Sequence, residues 1–366
     1  MRVMQLAKRS VTLLATVCVA LTGCGDSGPD VAFNPAGTSA DIQAMNATFA
    51  SPTFGSFSSL SPLFDAALGG APLVSASAKA FDFRRATTGG ELRAAAVRGA
   101  KRVAALTPAL ANGAFSGSSA AIPAEFAGKT FEYSGGSYVA GVRTGAPDNG
   151  VRFLLYAINP VTLLPVEPLV EVGYVEITDL SSGSTQAARV LVVSGDNVYL
   201  NYTVAVTATA AGGQVTVNGF VTDGTTQANI NLRSTLTQAA GLTLVYTLEV
   251  PQRDVSINLT MTAAGLDPET GTIAIAISMS GPNGSISMTG EFTSAGGTLI
   301  VRTNGTTFAT ITSSGAGEPV ITGADGAPLA DEDVEALGSI FEITGEAFTA
   351  FDAMVVPVGV FLAPAA

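Results

Sequence analysis

Two groups of carboxylates and one cysteine have the types and spacing to do chemistry in this chain. Glu167, Glu171, Glu176 and Asp179 fall close together. Paired acids of this kind serve glycoside hydrolysis, which needs two carboxyls about 5–9 Å apart across a sugar subsite. Spacing along one strand does not establish that separation, and the chain has no tryptophan to stack a sugar. Solvated strand residues are the simpler account. Asp325, Asp331, Glu332, Asp333 and Glu335 form the densest acid cluster. A calcium loop needs oxygens spaced to wrap one ion, as in D-x-D-x-D-G-x5-E, and this run does not match. Acids in the first turn of a helix complement its dipole and cap its free amides. No catalytic residue, metal ligand or cofactor is therefore assigned. The chain has no histidine, which removes the Ser-His-Asp triad, the commonest general base and the commonest metal ligand together. No phosphate-cradling loop is present, and Asn-x-Ser/Thr triplets such as Asn201-Tyr202-Thr203 are expected by chance in a Ser/Thr-rich chain.

The cysteine is Cys24, in Leu21-Thr22-Gly23-Cys24, after a start that carries Arg2, Lys8 and Arg9 and an apolar stretch from Val11 to Leu21. A basic region, a short apolar region and a small-residue cut make a secretory signal. The apolar region is shorter than the roughly 20 residues that span a bilayer. This stretch resembles the lipobox of bacterial lipoprotein precursors. The resemblance implies cleavage between Gly23 and Cys24, and a diacylglycerol on the Cys24 thiol with a further acyl chain such as palmitate on the new amine. One acyl chain binds a membrane marginally, whereas two or three anchor it firmly. Gly25 follows the cysteine and Asp26 comes one position later. In that family an aspartate directly after the cysteine favours inner-membrane retention, so this order leans to the outer membrane if the source is Gram-negative.

Composition bounds the remainder. Cys18 lies in the apolar region and Cys24 at the cut, so a chain starting at Cys24 has no spare thiol for a disulfide, metal site or nucleophile. About 340 residues follow, enough for one large β domain or two smaller ones. Hydrophobic residues reach 47% and charged residues 13%, a balance that argues against disorder. Net charge is −12. Residues 1–23 hold three basic groups and no acid, so the chain from Cys24 carries −15. An acidic chain is a poor partner for nucleic acid. Seven of the 17 basic residues fall between Lys79 and Arg102, and none follows Arg302. That cluster reads as a solvated helix face or as a patch for anionic headgroups or the acidic C-terminal third.

The elements that would position these groups change period at Lys129. Residues 24–38, rich in turn formers, read as a tether spanning roughly 20 Å as a flexible coil. Ser39 to Phe49 reads as a helix capped by Ser39 or Asp41, with Ile42, Met45 and Phe49 on one stripe. A second helix follows Pro52, with Phe57, Leu60, Phe64 and Leu68 aligned. Residues 39–123 form this helical and irregular segment, ending in a linker at 107–123. From Lys129 the period is two. Thr130–Tyr133 and Ser137–Val142 flank Gly135-Gly136, a hairpin signal. Val255, Ile257, Leu259 and Met261 share one face against Ser256, Asn258, Thr260 and Thr262, and Ile273 to Met279 repeat the pattern. Turns are expected at Gly212-Gly213, Asp223-Gly224, Ala240-Gly241, Gly296-Gly297 and Asn304-Gly305. Short connections force antiparallel neighbours, so 129–312 reads as a meander of about a dozen strands. Asp331–Phe351 reads as a helix, and Met354–Leu362, broken by Pro357, as an edge strand or core plug.

The fold class is thus mainly β: a large antiparallel meander, whether curved sheet, half-open barrel or sandwich, with short helices before it and one near the C-terminus, over 124–366. A transmembrane barrel is disfavoured by the anchor and by the lack of aromatic girdles. The implied function is a membrane-anchored, non-enzymatic envelope lipoprotein with a binding or structural role. Its specific forms are a carrier of an apolar ligand or lipid in a half-open barrel, or a surface adhesion or spacer module. An enzyme using carboxylates alone would require a cleft where two acids converge.

Overall fold

Alternation of apolar residues with Thr, Ser and Asn gives each strand one greasy and one wet face, and a run of such strands joined by tight turns has to pair in sequence order. The computed structural model describes residues 32–49, 51–58, 60, 120–159, 162, 164–209, 212–237, 241–264, 271–314 and 319–362. The chain divides into two units, Met1–Asp30 and Val31–Ala366, and all the described residues belong to the second. In the order of the chain it holds helices α1 (Pro35–Phe49) and α2 (Pro52–Ser58). The strands β1 (Lys129–Ser134), β2 (Ser137–Ala140), β3 (Gly150–Tyr156), β4 (Glu171–Asp179), β5 (Thr185–Ser194), β6 (Asn197–Thr209), β7 (Gly212–Thr222) and β8 (Gln227–Thr237) follow. Then come β9 (Gly241–Val250), β10 (Val255–Ala264), β11 (Thr272–Gly281), β12 (Gly284–Thr293), β13 (Gly296–Thr303), β14 (Thr306–Ser313), β15 (Val320–Gly323) and helix α3 (Asp331–Leu362). The 15 strands among the described residues form one sheet, in which β3 to β15 lie in chain order and β1 then β2 extend it beyond β3.

The expected meander is therefore present, longer than a dozen strands, with one departure from antiparallel pairing. β1 pairs β2 antiparallel but β3 in parallel. β2 takes the outer edge, so the chain must recross β1 to reach its free side, and residues 141–149 are long enough to make that return. They pass over the open face. A side chain at Gly145 would meet the Arg152 guanidinium, and β3 is buried on both faces save at Arg152.

One face carries the core. Val190, Val204, Val215, Val217, Met288 and Leu299 are fully buried, and the whole row of inward residues from β3 to β14 joins one cluster. α1 lies against β7 and β8, α2 against β3 and β6, and α3 against β5, β6 and β7. The other face is polar. Register places Thr203, Asn218, Asn231, Thr247, Asn258, Ser278 and Ser287 side by side across seven strands, all exposed or half-exposed. A polar outer face with a packed inner one is the reverse of a lipid-spanning barrel. Among the described residues no helix is long and apolar enough to cross a membrane.

Three helix expectations change. α1 starts at Pro35, not Ser39: Asn34 is the cap, its Oδ1 accepting the Gly37 amide at 3.0 Å, and proline at the first helical position needs no amide partner. Asp41 is freed for another task described below. α2 ends at Ser58, and Phe64 and Leu68 lie outside the described residues. Met354–Leu362 is not a strand but the last part of α3. A proline inside a helix costs about 3 kcal/mol. Met354, Val355, Val358, Phe361 and Leu362 are all buried on a helical stripe, and each such side chain contributes about 1.5–3 kcal/mol. Burial outweighs the proline, and the segment plugs the core as the alternative expectation had it. Gly212, Gly241 and Gly296 likewise open strands rather than form the turns themselves.

Candidate functional site

Cys24, the Gly23–Cys24 cut and the basic cluster from Lys79 to Arg102 lie outside the described residues. The acids of the β3–β4 region lie within them, and Glu171, Glu176 and Asp179 are each occupied. Arg152 stands opposite Glu176 in the β3–β4 register. Its Nε donates to Glu176 Oε1 at 3.1 Å, and Nη2 reaches the same oxygen. The same guanidinium lies 4.2 Å over the Tyr174 ring, a favourable placement for a cation on an aromatic face. Glu171 pairs with Arg143 Nη1 at 2.6 Å, and Arg143 Nε is 3.8 Å from Glu132. The Glu171 hydrogen bond raises the Arg143 pKa further. Asp179 accepts the Ala121 amide at 3.0 Å and the Ser181 amide at 2.8 Å. Glu167 precedes Pro168 in the β3–β4 connection, through a cis peptide bond. Glu171, Glu176 and Asp179 thus answer to arginines and amides rather than to one another.

Beside them β1, β2 and β3 carry a tyrosine group. Tyr133 meets Tyr138 at 5.7 Å and Tyr156 at 6.4 Å between ring centroids. Tyr138 donates its hydroxyl to the Leu154 carbonyl at 2.6 Å. Burial, with Tyr156 and Tyr133 nearby, pushes its pKa far up, so it remains a neutral donor. These rings cap the end of the core where the sheet stops.

The acidic start of α3 behaves as a helix terminus. Asp331, Glu332 and Asp333 occupy its first turn, and Asp325 Oδ1 accepts the Ala327 amide at 2.9 Å in the preceding turn. Among the described residues no three of His, Cys, Asp and Glu gather to hold a metal ion. A groove of about 230 Å³ between α1 and α3 is lined by Ala36, Ser39, Ala40, Gln43, Glu332 and Glu335. It is small, and its lining lacks a large apolar side chain.

Two nodes were missed by sequence reasoning. Asp41, on the buried side of α1, accepts from Arg253 at 3.0 Å and from Asn283 Nδ2 at 2.8 Å. Asn34 adds its own amide to the Asn283 carbonyl at 3.0 Å. α1 is thereby tied to the β9–β10 and β11–β12 turns, more than 200 residues away in the chain. The second node is Tyr202. Its ring meets Phe57 of α2 at 6.2 Å, edge on, and its hydroxyl donates to the Met354 carbonyl of α3 at 3.0 Å. A polar residue inside an apolar helical stripe and a tyrosine on a core-facing parity were the available signals. Neither names its partner.

Compared with protein-family models, curated proteins and solved structures, the chain matches none.

Proposed function

We propose that this chain is a lipid-anchored, non-enzymatic module of a bacterial envelope. It is cut between Gly23 and Cys24 and held to the membrane through acylated Cys24, in the outer membrane if the source is Gram-negative. The sheet is its working surface, as a structural or adhesive module. One observation carries the choice of module over carrier: the apolar face of the sheet is buried, and α1, α2 and α3 pack on it. An apolar ligand would have to displace α3, with its buried stripe from Met354 to Leu362. The face left to partners is the uncharged one of Thr, Ser and Asn, which suits neutral hydroxyl-rich or amide-rich surfaces and offers no charge to nucleic acid.

Metabolic labelling with palmitate and cell fractionation test the anchor. The parent chain takes label and sediments with membranes, and Cys24→Ser loses both; a Cys24→Ser chain that stays membrane-bound and unlipidated ends the reading. Protease added to whole cells tests the exposed module. A digested body supports it, and a protected one removes the adhesive form.

A further inference from the structure

The connection between β3 and β4 exposes apolar side chains on a built hairpin. Leu164 is 47% exposed, Val166 40%, Leu169 39% and Val170 53%. Four of the ten exposed large hydrophobics among the described residues thus fall within residues 164–170. Single exposed apolar residues are ordinary, whereas a cluster marks a contact surface. The hairpin is held by its own backbone. The Val166 amide donates to Ala157 at 2.8 Å, the Ala157 amide to Val170 at 2.9 Å, and the Asn159 amide to Leu164 at 2.9 Å.

Strand alternation fixes where this hairpin lies. β3 ends and β4 begins at the rim that also carries the β5–β6, β9–β10 and β11–β12 turns. Val198, 37% exposed, opens β6 on that rim. The body's N-terminus is fixed there too: Asn34 is bonded to Asn283 in the β11–β12 turn, and Phe33 meets Phe308 edge on at 5.9 Å. Phe33 lies nine residues on from Cys24, a path of nine Cα–Cα steps. At no more than roughly 3.6 Å each, they keep an anchored Cys24 within about 32 Å of this rim.

We propose that the hairpin 164–170 is a second membrane contact, dipping into the headgroup layer of the membrane that holds Cys24. The inference rests on the anchor proposed above. The lipid surface it fits is zwitterionic. Glu167, Asp196, Asp223 and Asp254 stand on or beside the turns of the same rim, and like charge opposes an anionic surface.

The chain has no tryptophan, so one introduced residue reports alone. Leu164→Trp is the probe and Leu180→Trp the control. Leu180 is 46% exposed and follows the opposite end of β4. Both sites are half-open, so the ring enters without repacking the core. The lipidated full chain is bound to phosphatidylcholine vesicles brominated in the acyl chains, with Cys24 acylation read by mass spectrometry. The tryptophan at 164 shifts to the blue and loses roughly half of its emission, because a side chain about 5–10 Å into the interface lies near the bromines. The tryptophan at 180 keeps its emission. Acylated Cys24 with no quenching at 164, or with quenching at 180 instead, overturns the hairpin contact and leaves the anchor standing. Unmodified Cys24 overturns both. Quenching that appears only on anionic vesicles overturns the zwitterionic assignment.

Discussion

At the scale of single residues, Tyr202 does most to join the parts. Its hydroxyl is spent on a carbonyl of α3 and its ring on α2, so one side chain ties two helices to β6. Tyr202→Phe leaves the Met354 carbonyl buried without that donor and is expected to cost about 1–2 kcal/mol, read as a lower denaturant midpoint at an unchanged slope. Burial also raises the pKa of Tyr202 and of Tyr138. A raised value in the fold means that the neutral form is favoured there. The associated stability is complete below the unfolded-state pKa of about 10 and declines as pH rises beyond it. Alkaline titration of the parent should thus lose stability from about pH 10 upward, and Tyr202→Phe should lose it less steeply. Asp41 presents the second residue-scale test. It is nine-tenths buried while Arg253 is 40% exposed, so truncating the arginine leaves a buried carboxylate held by Asn283 without its counter-ion, whereas truncating the acid leaves a guanidinium that water can reach. Asp41→Ala should cost about 2 kcal/mol, and a double-mutant cycle with Arg253→Ala should show coupling above about 0.5 kcal/mol.

At the scale of elements, strand pairing leans on one close approach beside Tyr202. Gly219 of β7 is its cross-strand partner. A methyl group at Gly219 would overlap the Asn201 carbonyl and the Tyr202 Cβ, so glycine leaves the space that the tyrosine uses, as aromatic residues do over strand glycines. Gly219→Val is expected to destabilise by more than about 2 kcal/mol, as overpacking does, with thermal denaturation as the check. What was legible in the sequence was local. Val255, Ile257, Leu259 and Met261 advertise a face because a strand repeats every two residues, and all four are buried. The parallel β1–β3 pair was not legible, since nothing in Lys129–Ser134 says which neighbour lies on its second side. Pro357 misled for an energetic reason. Its local cost is visible in the sequence, while the burial that offsets it depends on a sheet assembled elsewhere. The ion pairs of Glu171 and Glu176 were hidden in the same way: the acids could be read, but Arg143 and Arg152 reach them only through the β3–β4 register and the returning 141–149 segment.

For the whole molecule, an open sheet must manage two edges. Both terminal strands, β2 and β15, are four residues long, which keeps the unpaired backbone on offer short. The inward apolar rows are buried, with α1 to α3 packed on β3 and β5 to β8, and the open face repeats hydroxyls and amides from strand to strand. Under the proposed anchor, the Cys24→Ser chain should remain folded when released from the membrane, since Cys24 lies outside Val31–Ala366. An unchanged melting temperature would confirm that anchorage and folding are separate. The attachment of α1 adds a mechanical consequence. A pull on the chain before Phe33 is received by the Phe33–Phe308 contact on β14 and by Asn34, and reaches the sheet also through Asn283 and Arg253 at the β11–β12 and β9–β10 turns. The load arrives in interior strands, flanked by neighbours on both sides, rather than at β2 or β15, where strands could be peeled off one at a time. A pull on the N-terminal end of the body is thus gripped by strands that have a neighbour on each side.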